Sequence, residues 1–230
     1  ILSYNVENTL EESIKEVLKA VKRYKDYEII ISDGGSTDNS INIANKFSSE
    51  NKKIKVIQNK NIEIGQSYMA GLNISSMDYF SMFPGDNENS GDDFKKTLEE
   101  IGDTDIIIPY TINQKVRPFY RRIISYVFTI FLNQIFNLNL KYYNGTCVYK
   151  TNILKKIRVN SKGFAYSAEI LIKLLKLGHT YKEVGIKIKP SKKTTVFKIK
   201  GVMNVIKTVV HLFYEINIKY KRIYTNKLIH

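Results

Sequence analysis

The sequence predicts an α/β fold with a mainly parallel central sheet flanked by helices. Two observations predict it: short apolar runs take turns with amphipathic stretches through the first half, and the connections between them are short. Residues 1–4, 27–32, 55–58, 79–83 and 105–109 read as strands. Leu10, Ile14, Val17, Leu18 and Val21 recur at helical spacing after the first of them. Asp38 followed by Asn39-Ser40-Ile41 reads as an N-cap opening a second helix. In the second half, residues 117–136 read as a basic turn and a largely apolar helix, 141–150 as a strand, and 166–177 as a helix ended by Gly178. Residues 181–189 alternate like a strand, 187–200 form a basic, Thr-containing loop, and 202–220 read as a last amphipathic helix. With no repeat, low-complexity tract or linker, the expectation is one domain, residues 1–200, with a C-terminal amphipathic helix extension, 201–230.

Composition narrows the function. The 43% hydrophobic and 25% charged residues are ordinary for a folded globular protein of 230 residues, so a sizeable core is available. Thirty-six Lys and Arg against 22 Asp and Glu leave +14, which predicts an anionic partner: nucleic acid, a phosphorylated substrate or an acidic membrane surface. The single Cys147 excludes an intramolecular disulfide, and the dispersed His179, His211 and His230 argue against a zinc site; a reducing compartment fits. The longest apolar stretch, 123–136, is interrupted by Ser125, Asn133 and Gln134 and falls short of the roughly 20 residues a bilayer span needs, so no transmembrane segment is expected. No nucleic-acid recognition motif is present, which leaves nucleic acid as the weakest of the three partners.

Chemistry concentrates where predicted strands end. Glu28 to Ser32 runs straight into Asp33-Gly34-Gly35-Ser36-Thr37-Asp38, an apolar strand meeting a carboxylate, two glycines and a capped helix. Such an Asp can accept hydrogen bonds from a base or from ribose hydroxyls; it can equally satisfy the backbone donors of its own turn. The same logic applies to Tyr4-Asn5-Val6-Glu7 and to Pro84-Gly85-Asp86-Asn87-Glu88. Two residues apart in an extended segment, Asp86 and Glu88 point the same way and can offer oxygens to one hard cation, Mg²⁺ or Mn²⁺; a solvated acidic loop is the alternative.

These blocks resemble glycosyltransferase family 2 enzymes of GT-A fold, in the style of the dolichol-phosphate mannosyltransferase and polyprenyl-phosphate glycosyltransferase branch. Tyr4-Asn5 with Glu7 resembles the family's Tyr-Asn-Glu opening, Asp33 to Asp38 its Asp-Asp-Gly-Ser-Thr-Asp turn, and Ile64-Gly65 to Ala70-Gly71-Leu72 its glycine-containing segment. Pro84 to Glu88 stands in the place of the Asp-x-Asp motif. Arg121-Arg122-Ile123-Ile124-Ser125, Tyr143-Asn144-Gly145-Thr146 and Gly163-Phe164 to Leu171 are similar to the branch's later blocks. The sequence departs from the pattern where Pro84 replaces the first Asp of Asp-x-Asp and Gly34 the second Asp of the nucleotide turn, and where only Lys192 and Lys198 echo a late basic block.

The resemblance implies a single GT-A, Rossmann-like domain and an inverting glycosyltransferase using a nucleotide-diphosphate sugar. It puts Tyr4, Asn5, Glu7, Asp33, Asp38 and Gly65 at the donor and Asp86 with Glu88 at Mg²⁺ or Mn²⁺. Arg117, Arg121 and Arg122 read as phosphate or lipid-headgroup contacts against a solvated basic face, because guanidinium groups bind phosphate oxygens bidentately, with Arg117 and Arg121 expected to orient the acceptor. Glu169 reads either as a general base or as a helix residue in a salt bridge. The basic second half and the apolar helix favour a polyprenyl phosphate acceptor, with the enzyme cytoplasmic and peripheral on the inner face of a membrane. Transfer to a hydroxyl of a surface glycan, and an inactive nucleotide-binding relative, are the alternatives.

Overall fold

The computed structural model describes residues 1–190 and 199–225. Most of the basic loop expected at 187–200, with Lys192 and Lys198, lies outside the described residues. The elements in order are β1 (Leu2–Ser3), α1 (Leu10–Val21), β2 (Ile29–Asp33), α2 (Ser40–Glu50), β3 (Ile54–Gln58), α3 (Ile64–Ile74), β4 (Tyr79–Ser81) and α4 (Gly91–Glu99). They are followed by β5 (Ile106–Thr111), α5 (Phe119–Phe136), β6 (Val148–Lys150), α6 (Thr151–Leu154), α7 (Tyr166–Lys176), β7 (Tyr181–Ile186), α8 (Ile199–Tyr214) and α9 (Lys221–Thr225).

β1, β2 and β3 form a parallel sheet with β2 in the middle, Ser3 beside Asp33 and Asp33 beside Gln58. All five β2 residues are buried, as a strand covered on both faces requires. A second sheet runs β4-β6-β5-β7, in which only β6 is antiparallel to its neighbours. The two sheets meet where Leu2 takes a hydrogen bond from Gly85 (3.0 Å) and gives one to Phe83 (3.1 Å), so the strand ends at Ser3, Asp33 and Ser81 share one edge. The α/β GT-A architecture is the predicted one.

Local chemistry explains the helices. α1 buries Leu10, Ile14 and Val17 on one stripe, with Glu11 and Glu12 in its first turn and Lys19 in its last, matching the helix dipole. α3 opens with a reciprocal capping box between Glu63 and Gln66, and the Ser90 side chain caps α4 by accepting from Asp93 N–H. Leu10, Ile14, Ile31, Phe83 and Phe94 form one apolar cluster; Leu72, Ile106, Tyr143, Leu171 and Leu212 belong to a larger one under the second sheet.

Three expectations are corrected. The strand expected at 141–150 is confined to Val148–Lys150, the residues before it running through bends without pairing. Gly145 also passes so close to β5 that a Cβ there would sit 2.3 Å from the Pro109 carbonyl oxygen. β7 ends at Ile186, after which Ile188 makes only an isolated bridge to Asn89. The last helix is not continuous: α8 gives way to a π-helical turn at Glu215–Lys219 before α9. Val209, Leu212 and Ile216 of this segment are buried in the same cluster as α7.

Candidate active site

At the shared strand edge, the two amino-terminal turns are stitched to each other. Asp33 is fully buried, and its Oδ1 accepts from the Ser3 hydroxyl (3.1 Å) and the Ser36 hydroxyl (2.5 Å). Its Oδ2 accepts from the Gly35 and Ser36 N–H groups at 2.9 and 2.8 Å. Gly35 is at φ +99°, and a Cβ there would fall 2.4 Å from the Asn61 nitrogen, so glycine is required twice over. Asn5, at φ 52°, accepts from Thr37 N–H through Oδ1 (2.9 Å), while Glu7 Oε2 accepts from Asn39 N–H (2.9 Å). Asp38 reciprocates by accepting from Glu7 N–H at 3.0 Å and from Ser40 N–H at 3.0 Å. Burial opposes its ionisation, but hydrogen bonds from Ser40 and Glu7 outweigh that and hold the Asp38 pKa below its ordinary value. Tyr4, Asn5 and Glu7 of this group are exposed, the Tyr4 ring packed at 3.4 Å from where a Cβ on Gly34 would be. Gly65 is buried under the 161–163 loop, donating its N–H to the Lys162 carbonyl at 2.7 Å.

The third turn opens a cavity of about 530 Å³. Its polar end carries Asp86, Glu88, Asn89, Thr146, Arg117 and Arg121. Its apolar end is walled by Ile124, Phe128 and Phe131 of α5 against Val205, Val209 and Val210 of α8, with Phe164 and Tyr166 between. Asn87, at φ 57°, turns the loop so that Glu88 N–H reaches Asp86 Oδ1 at 3.1 Å. Lys189 braces it from behind, its Nζ on Asn87 Oδ1 (2.8 Å) and Glu16 Oε1 (2.7 Å). The protein around the Asp86 carboxylate strips water from it and raises its pKa; Glu88 adds repulsion and Arg121 pulls the other way. An Asp held in this state gains from a cation. Among the described residues no three His, Cys, Asp or Glu converge on one point, so Asp86 and Glu88 would be the protein's share of a divalent site. That fits Mg²⁺, which commonly takes one or two carboxylates and completes its shell with substrate phosphates and water.

Arg117 donates from Nη1 to the Tyr142 hydroxyl at 3.0 Å, and its buried Nε has no partner among the described residues. A half-buried arginine with a spare, buried Nε–H donor beside a cavity is equipped for an anion. Tyr142, which orients it, was not singled out in the sequence; it stands one residue before the Tyr143-Asn144-Gly145-Thr146 block. Lys189 was likewise read only as the last residue of the strand expected at 181–189 and part of the basic loop after it.

Glu169 is not brought to the cavity. Its carboxylate is buried under the 160–161 segment, accepting from Asn160 N–H (2.9 Å) and Ser161 N–H (2.8 Å), with Lys173 Nζ 2.8 Å away. Lys173 also meets Glu215 at 2.9 Å and donates to the Arg158 carbonyl at 2.8 Å. Lys173 and Asn160 engage its Oε1 and Ser161 its Oε2, so of the two roles read for Glu169 this geometry is that of the salt bridge. Tyr4, Asn5, Glu7, Asp33, Asp38 and Gly65 flank the cavity's edge of the sheet without lining it, whereas Asp86, Glu88, Arg117 and Arg121 all line it.

The model of the family described as glycosyl transferase family 2 matches residues 1–158. The chain belongs to that family. Among curated relatives it is 37% identical over 86 residues to the putative glycosyltransferase EpsE of Bacillus subtilis, a match covering 36% of this chain and 30% of that protein. It is 33% identical over 87 residues to the cholesterol galactosyltransferase of Borreliella burgdorferi, covering 38% of this chain and 24% of that one. The chain therefore spans less than a third of the length of these relatives. In fold it is similar to glucosyl-3-phosphoglycerate synthase from Mycobacterium tuberculosis in complex with Mn²⁺, UDP and phosphoglyceric acid, with a TM-score of 0.70 at 16% identity over 92% of this chain and 76% of that one.

Proposed function

We propose that this family 2 domain is an inverting glycosyltransferase that moves a sugar from a nucleotide-diphosphate donor to a polyprenyl phosphate. The observation that carries the reading is the two-ended cavity, with carboxylates and arginines at one end and an apolar lining at the other. The donor would lie across the strand ends, its nucleotide towards Tyr4, Asn5, Glu7, Asp33 and Asp38. Asp86 and Glu88 would hold Mg²⁺ or Mn²⁺, which when bound neutralises charge gathering on the departing diphosphate. A phosphate oxygen of the acceptor attacks C1 from the face opposite the leaving group. The C1–O bond to the diphosphate breaks, and its electron pair leaves on the diphosphate oxygen.

An ionised phosphate attacks without losing a proton, so the reaction needs cationic positioning more than a general base. Arg117 and Arg121 supply the first, and the engagement of Glu169 in its ion pair accords with the absence of the second. An isoprenoid chain suits the apolar end, and a lipid-linked acceptor puts the enzyme peripherally on the inner, cytoplasmic face of a membrane. No helix among the described residues is long and apolar enough to cross one. Transfer to a hydroxyl is the second reading, favoured by the cholesterol galactosyltransferase likeness, since that protein's name gives it an apolar alcohol.

The test is transfer of radiolabelled sugar from UDP and GDP donors, with Mn²⁺, to detergent-solubilised undecaprenyl phosphate and, separately, to cholesterol and soluble glycans. The expected outcome is lipid-phosphate labelling that drops at least about tenfold in Arg121→Ala, the scale of losing one charge-assisted hydrogen bond, and persists in Glu169→Gln. Labelling of alcohols alone, abolished by Glu169→Gln, would replace this reading with the second.

A further inference from the structure

The outward faces of α5 and α8 are apolar where a surface helix is ordinarily polar. On α5, Thr129, Leu132 and Phe136 are buried, and the opposite stripe carries Phe119, Ile123, Tyr126, Val127 and Ile130, with Tyr126 68% and Val127 57% exposed. On α8, Val209 and Leu212 face the core while Met203, Ile206, Val210 and Phe213 recur at helical spacing outside, Val210 being 65% exposed. Ile124, Phe131, Ile206 and Val210 are both exposed and part of the cavity lining, so the apolar end of the cavity opens onto this face.

Charge says what covers it. Residues 119–136 and 203–221 hold five cations, Arg121, Arg122, Lys207, Lys219 and Lys221, and one carboxylate, Glu215. That carboxylate is turned inward onto Lys173. A second copy of the chain docked here by two-fold symmetry would set cations against cations with no exposed acid to answer them. Beside α5 there is also a recess of about 370 Å³ lined by Arg122, Lys141, Gln114 and Ser125 and rimmed by Phe119 and Tyr126. The buried Nε of Arg122 has no acceptor among the described residues, and Lys141 stands 3.7 Å from Glu183.

We infer that this face seats the domain on an anionic lipid bilayer, with α5 and α8 lying in the interface and the Arg122 recess taking a headgroup phosphate. Apolar side chains enter the acyl boundary while lysines and arginines reach the phosphates around them. The inference rests on the lipid-acceptor reading only for its consequence, that the cavity mouth faces the acyl layer.

The experiment is co-sedimentation with vesicles of phosphatidylcholine alone and of phosphatidylcholine with phosphatidylglycerol in equal parts, at low and high salt. The vesicles contain no polyprenyl phosphate. Binding is expected only with phosphatidylglycerol, weakened by salt, and roughly tenfold or more weaker in Val127→Glu/Phe213→Glu, positions that line neither cavity. Arg122→Gln should weaken it too, with unchanged melting temperature. A wild-type protein that stays in solution with phosphatidylglycerol present, or vesicle binding indifferent to the double substitution, overturns the inference. So does a dimer in analytical ultracentrifugation that the double substitution dissociates. Transfer to detergent-solubilised acceptor by the double variant reads the acceptor site alone, so failure of docking and failure of the acceptor reading are separable.

Discussion

The amino-terminal turns and the α5–α8 side of the molecule treat their polar and apolar groups in opposite ways. Around Asp33 the carboxylate oxygens, hydroxyls and N–H groups of Ser3, Gly35 and Ser36 are matched to one another. Asn5, Glu7 and Asp38 close the same circuit with Thr37, Asn39 and Ser40. Around α5, two arginine Nε groups are buried without partners among the described residues, an Asp is held at a raised pKa, and apolar side chains face outward. The first region is complete as folded and serves as a rigid platform. The second has unmet valences of both kinds, and unmet groups are where ligands are recognised.

Substitutions at the two regions should therefore separate activity from stability. The largest effect is expected at Asp86. Replacement by Asn should lower turnover by about two to three orders of magnitude, the scale for losing one electrostatic stabiliser of a developing charge. Its folded-state pKa is raised, by burial first and by Glu88 second, so at neutral pH the charged form opposes folding; that opposition fades as pH falls through the folded value and is gone below the unfolded one. Asp86→Asn should thus leave the melting temperature equal or higher, and full turnover together with a lower melting temperature would undo the contrast.

Asp33→Ala should do the reverse. It strands two N–H groups and two hydroxyls in a buried turn, so a loss of about 3 kcal/mol in stability is expected, with donor affinity falling alongside it. Calorimetric titration with UDP and GDP, run beside denaturant melts, decides the matter. Weakened nucleotide binding at undiminished stability would mean that Asp33 touches the donor itself.

Glu169→Gln tests a buried pair distant from chemistry. Lys173 keeps Glu215 and the Arg158 carbonyl, so the expected loss is about 2 kcal/mol, less than for stripping a buried ion of all partners. Activity per folded molecule should hold.

The smallest effect is a pH dependence at the far end of β5. Burial raises the Asp105 pKa, but hydrogen bonds from Lys150, Thr180 and His179 overcome it and bring the value down to about 2. A depressed carboxylate stabilises above its unfolded pKa, near 3.8, and loses that contribution as pH falls towards 2. Acid melts of wild type and Asp105→Asn should differ by about 1–2 kcal/mol at pH 5 and converge near pH 2. Parallel curves would show that the ion pair with Lys150 carries none of the acid sensitivity.

How much of this was legible in the sequence follows from how local each feature is. The alternation of apolar runs and helical spacings determined the fold class and the β1–β5 order, because burial periodicity is written within a dozen residues. The Asp33 to Asp38 turn was legible as a strand end, a glycine pair and a helix opening in one short segment, although Ser3, Asn5 and Glu7, about thirty residues away, share its hydrogen bonds. Asp86, Glu88, Arg117 and Arg121 could be picked out by residue type, and the fold puts all four on one cavity. What tertiary structure alone decided is which partner each group finds. Asp33 spends its oxygens on Ser3, Gly35 and Ser36, and Glu169 its own on Lys173, Asn160 and Ser161, neither of which spacing along the chain distinguishes from ligand contact. The apolar end of the cavity joins α5 to α8 across some eighty residues of sequence, and the open side of an apolar helix exists only relative to what packs against its other side.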